Sequence, residues 1–211
     1  MRPLGNRERQ NIMQQASRTA RWSLAAGLVA LCVVIRVAAY EGWLPIPPNA
    51  APVAGAGLVA GILFGSWTFA ALVPLTAMTI SDLFIGGYAT GVMITVYVAL
   101  LLPVLLSSLV RRYPSALSLC GAAVASSLSF FCATNFAVWA FGGWYERSAA
   151  GLIECFVAAL PFLKYTVVGD QVWTLLLFGL AALAARGSTQ RSLTSLLPAK
   201  RLAPVHVEER R

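Results

Sequence analysis

Six apolar stretches separated by short breaks constrain this chain more than any other feature. They lie at residues 22–40, 53–65, 68–85, 88–110, 115–141 and 165–185. A membrane-spanning helix needs about 20 mostly apolar residues, whereas barrel strands are much shorter. Only 11% of the residues are charged, against about 25% in an ordinary soluble domain. The sequence therefore predicts an all-α, polytopic membrane protein that folds as a six-transmembrane-helix bundle.

The basic residues predict the orientation of this bundle. With six spans, 13 of the 16 Lys and Arg residues fall on the side of the two termini, and the exceptions are Arg36, Arg147 and Lys164. Because cytoplasmic loops carry the excess of Lys and Arg, both termini are predicted to be cytoplasmic. The net charge of +8 thus reflects topology, and we expect no nucleic acid partner.

The chain is predicted to divide into three parts. Residues 1–21 form a basic cytoplasmic arm, residues 22–186 the membrane domain, and residues 187–211 a disordered basic cytoplasmic tail. We expect a multi-pass protein of the bacterial inner (cytoplasmic) membrane surrounded by lipid, although a cleaved signal peptide ending near Ala39 stays an alternative. Residues 149–163 are too few for easy crossing, so they predict an interfacial or re-entrant helix closed by Pro161.

The sequence offers little for metal binding or catalysis. None of the four cysteines forms a C-x-x-C pair, and the only histidine, His206, lies in the tail. We therefore expect no metal site, no cofactor and no enzymatic activity. Three of the cysteines suit apolar packing, and Cys155 is a minor candidate for a soft ligand.

The non-cytoplasmic end of the bundle collects polar side chains. An ionised carboxylate in hydrocarbon costs about 2.5–3.5 kcal/mol on insertion scales, so Asp82 needs a partner, a water-filled cavity or the interface. Apolar area combined with a few polar groups is typical of small-molecule pockets. The candidate substrate-binding residues are Arg36, Asn49, Asp82, Tyr88, Asn135, Trp139, Trp144, Lys164 and Asp170. The alternative is that Arg36 pairs with Asp82 or Asp170 to stabilise the bundle, while the aromatic residues decorate the interface.

Ala26 and Ala30 form a small-xxx-small pattern in the first span. Such a pattern lets a second helix approach closely. It indicates either ordinary packing within the bundle or docking to a separate membrane subunit.

Several segments resemble an uncharacterised bacterial family of membrane transport proteins. They are Pro48-Asn49-Ala-Ala-Pro52, the stretch from Val73 to Leu83, Ala133-Thr-Asn-Phe-Ala-Val-Trp139, Ala158-Ala-Leu-Pro-Phe and Gly169-Asp170. That family is similar to the substrate-binding S components of energy-coupling factor vitamin transporters. The resemblance covers about residues 22–186. It implies six helices, a pocket near the outer face, and docking of Ala26 and Ala30 onto a transmembrane coupling subunit whose ATPases are separate proteins.

These observations favour a membrane transport protein, an S-component-like subunit that binds a vitamin or similar small solute. Two alternatives stay open. A membrane enzyme acting on a lipid or isoprenoid would have its polar groups open sideways or toward the cytoplasm. A structural or assembly protein would fill its interior with charged pairs and leave no cavity.

Overall fold

The computed structural model describes the backbone of residues 6–47 and 49–196, and side chains between residues 18 and 184. Every regular element in these ranges is a helix, so the predicted all-α class is confirmed. The helices are α1 (Asn6–Tyr40), α2 (Val53–Phe64), α3 (Trp67–Ile85), α4 (Thr90–Ala99), α5 (Leu101–Arg112), α6 (Ala116–Phe141) and α7 (Ala149–Leu196).

Five helical segments in the described part of the chain are long and apolar enough to cross a membrane. They are Arg18–Tyr40, Trp67–Ile85, Thr90–Arg112, Ala116–Phe141 and Ala149–Ala184. The protein is therefore a multi-pass membrane protein. The predicted second span is the short helix α2, whose 12 residues extend about 18 Å, less than the hydrocarbon core of a bilayer.

Helix α2 lies at the centre of the bundle and contacts α1, α3, α5 and α6. Most of its residues are buried, and its glycines allow close approach. A Cβ on Gly57 would lie 3.4 Å from the Pro74 ring of α3, and Gly61 leaves no room for a side chain beside Ser107 of α5. Arg111 donates a hydrogen bond to the Gly61 carbonyl, which satisfies one of the free carbonyl groups at the end of α2.

Helices α4 and α5 follow one another with a break at Leu100. Pro103 explains the break, since a proline has no backbone N–H to continue the α4 ladder but is tolerated in the first turn of a new helix. The next helix, α6, begins with a capping box in which Ser115 and Ser118 bind each other's backbone N–H.

Helices α6 and α7 form an antiparallel hairpin. Cys155 donates to the Asn135 carbonyl (3.4 Å), and farther along Gln171 donates to the Cys120 carbonyl (2.8 Å). The prediction that Pro161 closes a separate helix over 149–163 is wrong, because Pro161 lies inside the continuous helix α7. Its ring removes one hydrogen bond of the ladder, and packing of residues on both sides against α6 keeps the helix continuous.

The chain separates into two compact units, one ending at Leu177 and one beginning at Phe178. All described residues of the second unit up to Leu196 are helical. The tail predicted to be disordered over 187–211 is thus helical over 187–196, and its remainder lies outside the described residues. Residues 6–21 of the predicted N-terminal arm are part of α1.

Candidate functional site

A cavity of about 280 Å³ lies inside the first unit, where side chains from six helices and two loops meet. Its walls are mainly apolar, with residues such as Val53, Val96, Leu100 and Phe130. Its polar lining comprises Arg36, Asn49, Tyr88, Thr166 and Asp170. The structure therefore brings four of the nine candidate substrate-binding residues, Arg36, Asn49, Tyr88 and Asp170, to one cavity.

Arg36 of α1 is held on α3 by a set of polar contacts that we name the arginine cluster: Arg36, Met78, Ser81, Asp82 and Tyr97. Its guanidinium forms an ion pair with Asp82 (Nη2 to Oδ1, 3.0 Å) and donates to Ser81 Oγ (2.7 Å). The same guanidinium contacts Met78 Sδ. Tyr97 of α4 donates to the second oxygen of Asp82 (3.0 Å). Asp82 thus has a cation and a hydroxyl as partners, and it holds Arg36 at the cavity wall.

Asp170 of α7 has a different environment. Its side chain is buried and lines the cavity, and Ser127 of α6 donates to Oδ2 at 2.6 Å. Among the described residues the ion pair of Arg36 with Asp82 is the only salt bridge, so Asp170 has no cationic partner there. A carboxylate accepts about four hydrogen bonds, which leaves most of its accepting capacity available to a molecule in the cavity.

Gly169, the residue before Asp170, holds the loop between α1 and α2 beside the carboxylate. Gly169 packs so closely on the loop that a Cβ there would lie 2.8 Å from the Ala50 Cα. Trp173 donates to the Ala50 carbonyl (2.8 Å). Asn49 adopts a left-handed backbone conformation (φ 62°), which asparagine tolerates better than most residues. Gly169 therefore allows the loop to pack closely on α7, and Asp170 places its carboxylate at the cavity.

Tyr88, in the loop between α3 and α4, lines the cavity at its accessible end, with 40% of its surface exposed. Burial of the rest of the ring and the nearby Asp82 carboxylate raise the pKa of Tyr88 to about 12. The phenol is therefore neutral at physiological pH and available both to donate and to accept a hydrogen bond.

Asn135 lines a neighbouring cavity of about 200 Å³. The two cavities share four lining residues, Asn49, Val96, Phe130 and Thr166. The Asn135 amide N–H donates to the Phe131 carbonyl within its own helix (2.7 Å). Asn135 therefore lies next to the main cavity, and its amide oxygen accepts no hydrogen bond from a described residue.

The structure does not bring the other candidates to the cavity. The Trp139 indole donates to the Glu146 carbonyl (2.9 Å), which closes the α6–α7 turn. Trp144 is 85% exposed. The Lys164 ammonium lies over the Tyr165 ring, 4.8 Å from its centre. Ala26 and Ala30 line an apolar groove between α1 and α3.

Sequence reasoning did not single out Ser127, Thr166, Phe130 or Tyr97. Thr166 lies four residues before Asp170, and Thr174 four residues after it, so these polar residues share one face of α7. Both threonines are buried. This spacing is the signal that identifies the inner face of α7. No comparable signal marks Ser127, because α6 contains serine at many positions.

Metal binding has no support in the described residues, where no group of three or more His, Cys, Asp or Glu side chains comes together. Cys155 is buried and directed at the Asn135 carbonyl. The arrangement offers a small, mostly apolar cavity with one unpaired carboxylate, one neutralised guanidinium, a phenol and an amide.

Comparison with known proteins identifies a family and nothing finer. No curated protein and no solved structure matches the chain significantly. The sequence pattern of the family described as "Family of unknown function (DUF6580)" matches residues 16–194, which include every residue that lines the cavity. On that match over most of its length, the chain belongs to this family.

Proposed function

We propose that this protein is a membrane transport protein, a substrate-binding subunit similar to the S components of vitamin transporters, that takes up a small solute. It lies in the bacterial inner membrane as a six-span bundle with both termini in the cytoplasm. It is not an enzyme and requires no cofactor.

The observation that carries the proposal is the cavity of about 280 Å³ with apolar walls and convergent polar groups. Small-molecule sites are mostly apolar with a few placed polar groups, and their volumes run from about 300 to 1,000 Å³. The cavity alone lies just below this range, and together with its neighbour of about 200 Å³ it falls in the lower part of it. A vitamin of modest size fits these volumes, whereas a corrinoid does not.

The accessible end of the cavity supports the predicted direction of entry. Asn49 and Tyr88 lie in the loops after α1 and α3, and both are exposed. The positive-inside rule assigns these loops to the non-cytoplasmic side, since Arg111 and Arg112 lie in the opposite turn. Solute is therefore expected to enter from outside the cell.

The same cavity favours this proposal over the alternatives. A structural protein is expected to fill its interior with paired charges, yet Asp170 faces an open space with a single hydrogen bond from Ser127 among the described residues. An enzyme acting on a lipid needs a reactive group, and none of the polar lining residues forms a nucleophile–base pair with another.

We further propose that Ala26 and Ala30 contact a transmembrane coupling subunit whose ATPases are separate chains. Both alanines line an apolar groove of about 510 Å³ on the face of α1 and α3, with Trp22 and Phe69 at one end. Small residues in such a groove allow another helix to approach closely.

The test is a thermal-shift screen of the full-length protein in lipid nanodiscs against vitamins and vitamin precursors. A bound solute is expected to raise the melting temperature in a concentration-dependent way. Ala51→Trp, which places a large ring in the cavity from its loop side, is expected to abolish that shift. Ala150→Trp, at an exposed position of α7, is the matched control and should retain it.

Each outcome decides the proposal. If no compound in the screen stabilises the wild-type protein, or if Ala51→Trp retains full binding while folded, the proposed solute site is wrong. The melting temperature of each variant without solute shows whether it is folded.

A further inference from the structure

We infer that the solute bound in the cavity is a small organic cation and that Asp170 is its counter-ion. This inference deepens the proposed function and rests on it. It depends on the charge balance of the cavity wall, on the unpaired oxygen of the Asp170 carboxylate, and on the aromatic side chains of the remaining walls.

The arginine cluster is balanced within itself. The Arg36 charge is paired with Asp82, and the two Asp82 oxygens accept from Arg36 and Tyr97. A solute carboxylate that replaced Asp82 as the partner of Arg36 would leave the partly buried Asp82 without a cation. Arg36 therefore contributes polarity to the wall but little net charge.

Asp170 then provides the net charge of the cavity. The residue is 4% exposed, and the described residues give its carboxylate one neutral donor, Ser127, and no cation. Its other oxygen, Oδ1, accepts no hydrogen bond from a described residue. Among the described side chains, Thr174 Oγ1 is the only oxygen or nitrogen that is both inaccessible to solvent and without a hydrogen-bond partner, so Oδ1 is not fully enclosed. Oδ1 is therefore reachable from the cavity that Asp170 lines.

A buried carboxylate without a cation is strongly unfavourable in its ionised form, so it either takes up a proton or is paired with a positive group. A cation in the cavity supplies that group. It is expected to bind more tightly than a neutral molecule of the same shape, because the pair forms in a water-poor site.

The other walls select an organic cation over a metal ion. Phe130 and Tyr88 present aromatic rings, and aromatic faces attract organic ammonium groups. A metal ion needs several oxygen, nitrogen or sulfur ligands, and no suitable group of acidic, His or Cys residues exists among the described residues. The cavity thus fits an ammonium or a cationic ring with an apolar body.

The experiment compares three probes of nearly equal shape: benzylammonium, benzamide and benzoate. The full-length protein in nanodiscs is titrated with each, and its melting temperature is followed. Benzylammonium is expected to stabilise the protein, whereas benzamide and benzoate are expected to have at least about tenfold weaker effects, a difference near 1.4 kcal/mol.

Two isosteric variants locate the effect. Asp170→Asn is expected to weaken benzylammonium binding at least about tenfold, while Glu154→Gln removes the same charge from an exposed position of the same helix and should leave it unchanged. Non-specific binding of the cation to lipid would appear equally in both variants.

The inference is overturned if benzylammonium does not stabilise the wild-type protein, if benzamide or benzoate stabilises it equally, or if Asp170→Asn binds the cation normally. Failure of this inference alone is recognisable. A neutral or anionic vitamin would then bind, lose binding in Ala51→Trp and keep it in Asp170→Asn. Failure of the proposed function as well would leave no solute sensitive to Ala51→Trp.

Discussion

Asp82 and Asp170 are the two acids that lie inside the bundle in the part of the chain whose side chains are described, and they occupy contrasting environments. Both follow a small residue, Ser81 or Gly169, and both come eight or nine residues after a proline in the same helix. Yet Asp82 has a guanidinium and a phenol as partners, whereas Asp170 has one serine hydroxyl among the described residues.

The contrast separates a structural acid from a candidate binding acid. A buried charge with all its partners fixes the positions of the helices that supply them. A buried charge that lacks partners destabilises the protein without ligand, and it favours a ligand that supplies the missing counter-charge or hydrogen bonds. The arginine cluster therefore connects α1, α3 and α4, while Asp170 is the proposed counter-ion of a solute.

The largest expected difference is in stability. Arg36→Met leaves the partly buried Asp82 without its cation, which should lower the free energy of unfolding by about 3 kcal/mol. Asp170→Asn removes a charge that has no counter-ion, so the empty protein should be equally or more stable. Unfolding in mixed detergent and SDS micelles, followed by circular dichroism, measures both.

The control for the first variant is Arg112→Met, which removes an exposed arginine and is expected to change stability little. The double variant Arg36→Met with Asp82→Asn should recover part of the loss, because no unpaired charge remains. Equal losses in Arg36→Met and Asp170→Asn would contradict the distinction between the two acids.

The second prediction concerns the loop that covers Asp170. Gly169→Ala places a methyl group 2.8 Å from the Ala50 Cα and 2.9 Å from its Cβ. Forced overpacking of this kind costs about 1–3 kcal/mol, and displacement of Ala50 also moves Asn49 away from the cavity. Both the stability and the affinity for a bound solute should fall, as measured by unfolding and by thermal shift.

Gly121→Ala in α6 provides the comparison, because a Cβ there meets no described atom within 4 Å. This variant should be neutral or stabilising, since alanine favours a helix over glycine by about 1 kcal/mol. If Gly169→Ala behaves like Gly121→Ala, then Gly169 does not hold the loop at the distance described.

Much of the helical architecture was predictable, because apolar length and basic turns are one-dimensional signals. The predicted span over 115–141 corresponds closely to α6 (Ala116–Phe141), and the span over 68–85 to α3 (Trp67–Ile85). The possible pairing of Arg36 with Asp82 followed from the rule that buried charges need partners.

The prediction that Pro161 ends a helix was wrong. A proline ends many helices, but a helix continues through it when the surrounding structure holds both sides. Here Phe156 packs on Phe131, and Gln171 binds the Cys120 carbonyl. Those contacts join residues far apart in sequence, so no local pattern revealed them.

The same limit applies to the candidate site. Gly169-Asp170 was a visible motif, but its partner Ser127 is 43 residues away. Trp139 and Trp144 were candidates because aromatic residues suit pockets and membrane interfaces alike. Their types alone did not distinguish the two roles, and the structure places both away from the cavity of about 280 Å³.

The smallest expected effect comes from the second partner of Asp82. Tyr97→Phe removes the hydroxyl that donates to Oδ2 at 3.0 Å but keeps the ring and the ion pair. The loss of one hydrogen bond to a charged group should lower the free energy of unfolding by about 1.5 kcal/mol, less than the loss of the cation. Tyr165→Phe is the control and should be near neutral, because the Tyr165 hydroxyl forms no hydrogen bond with a described residue.

Because Tyr97 acts on Asp82 and not on Asp170, solute affinity should change less in Tyr97→Phe than in Asp170→Asn. A larger loss of affinity than of stability in Tyr97→Phe would show that the arginine cluster contributes to binding directly, and the division between the two acids would then fail.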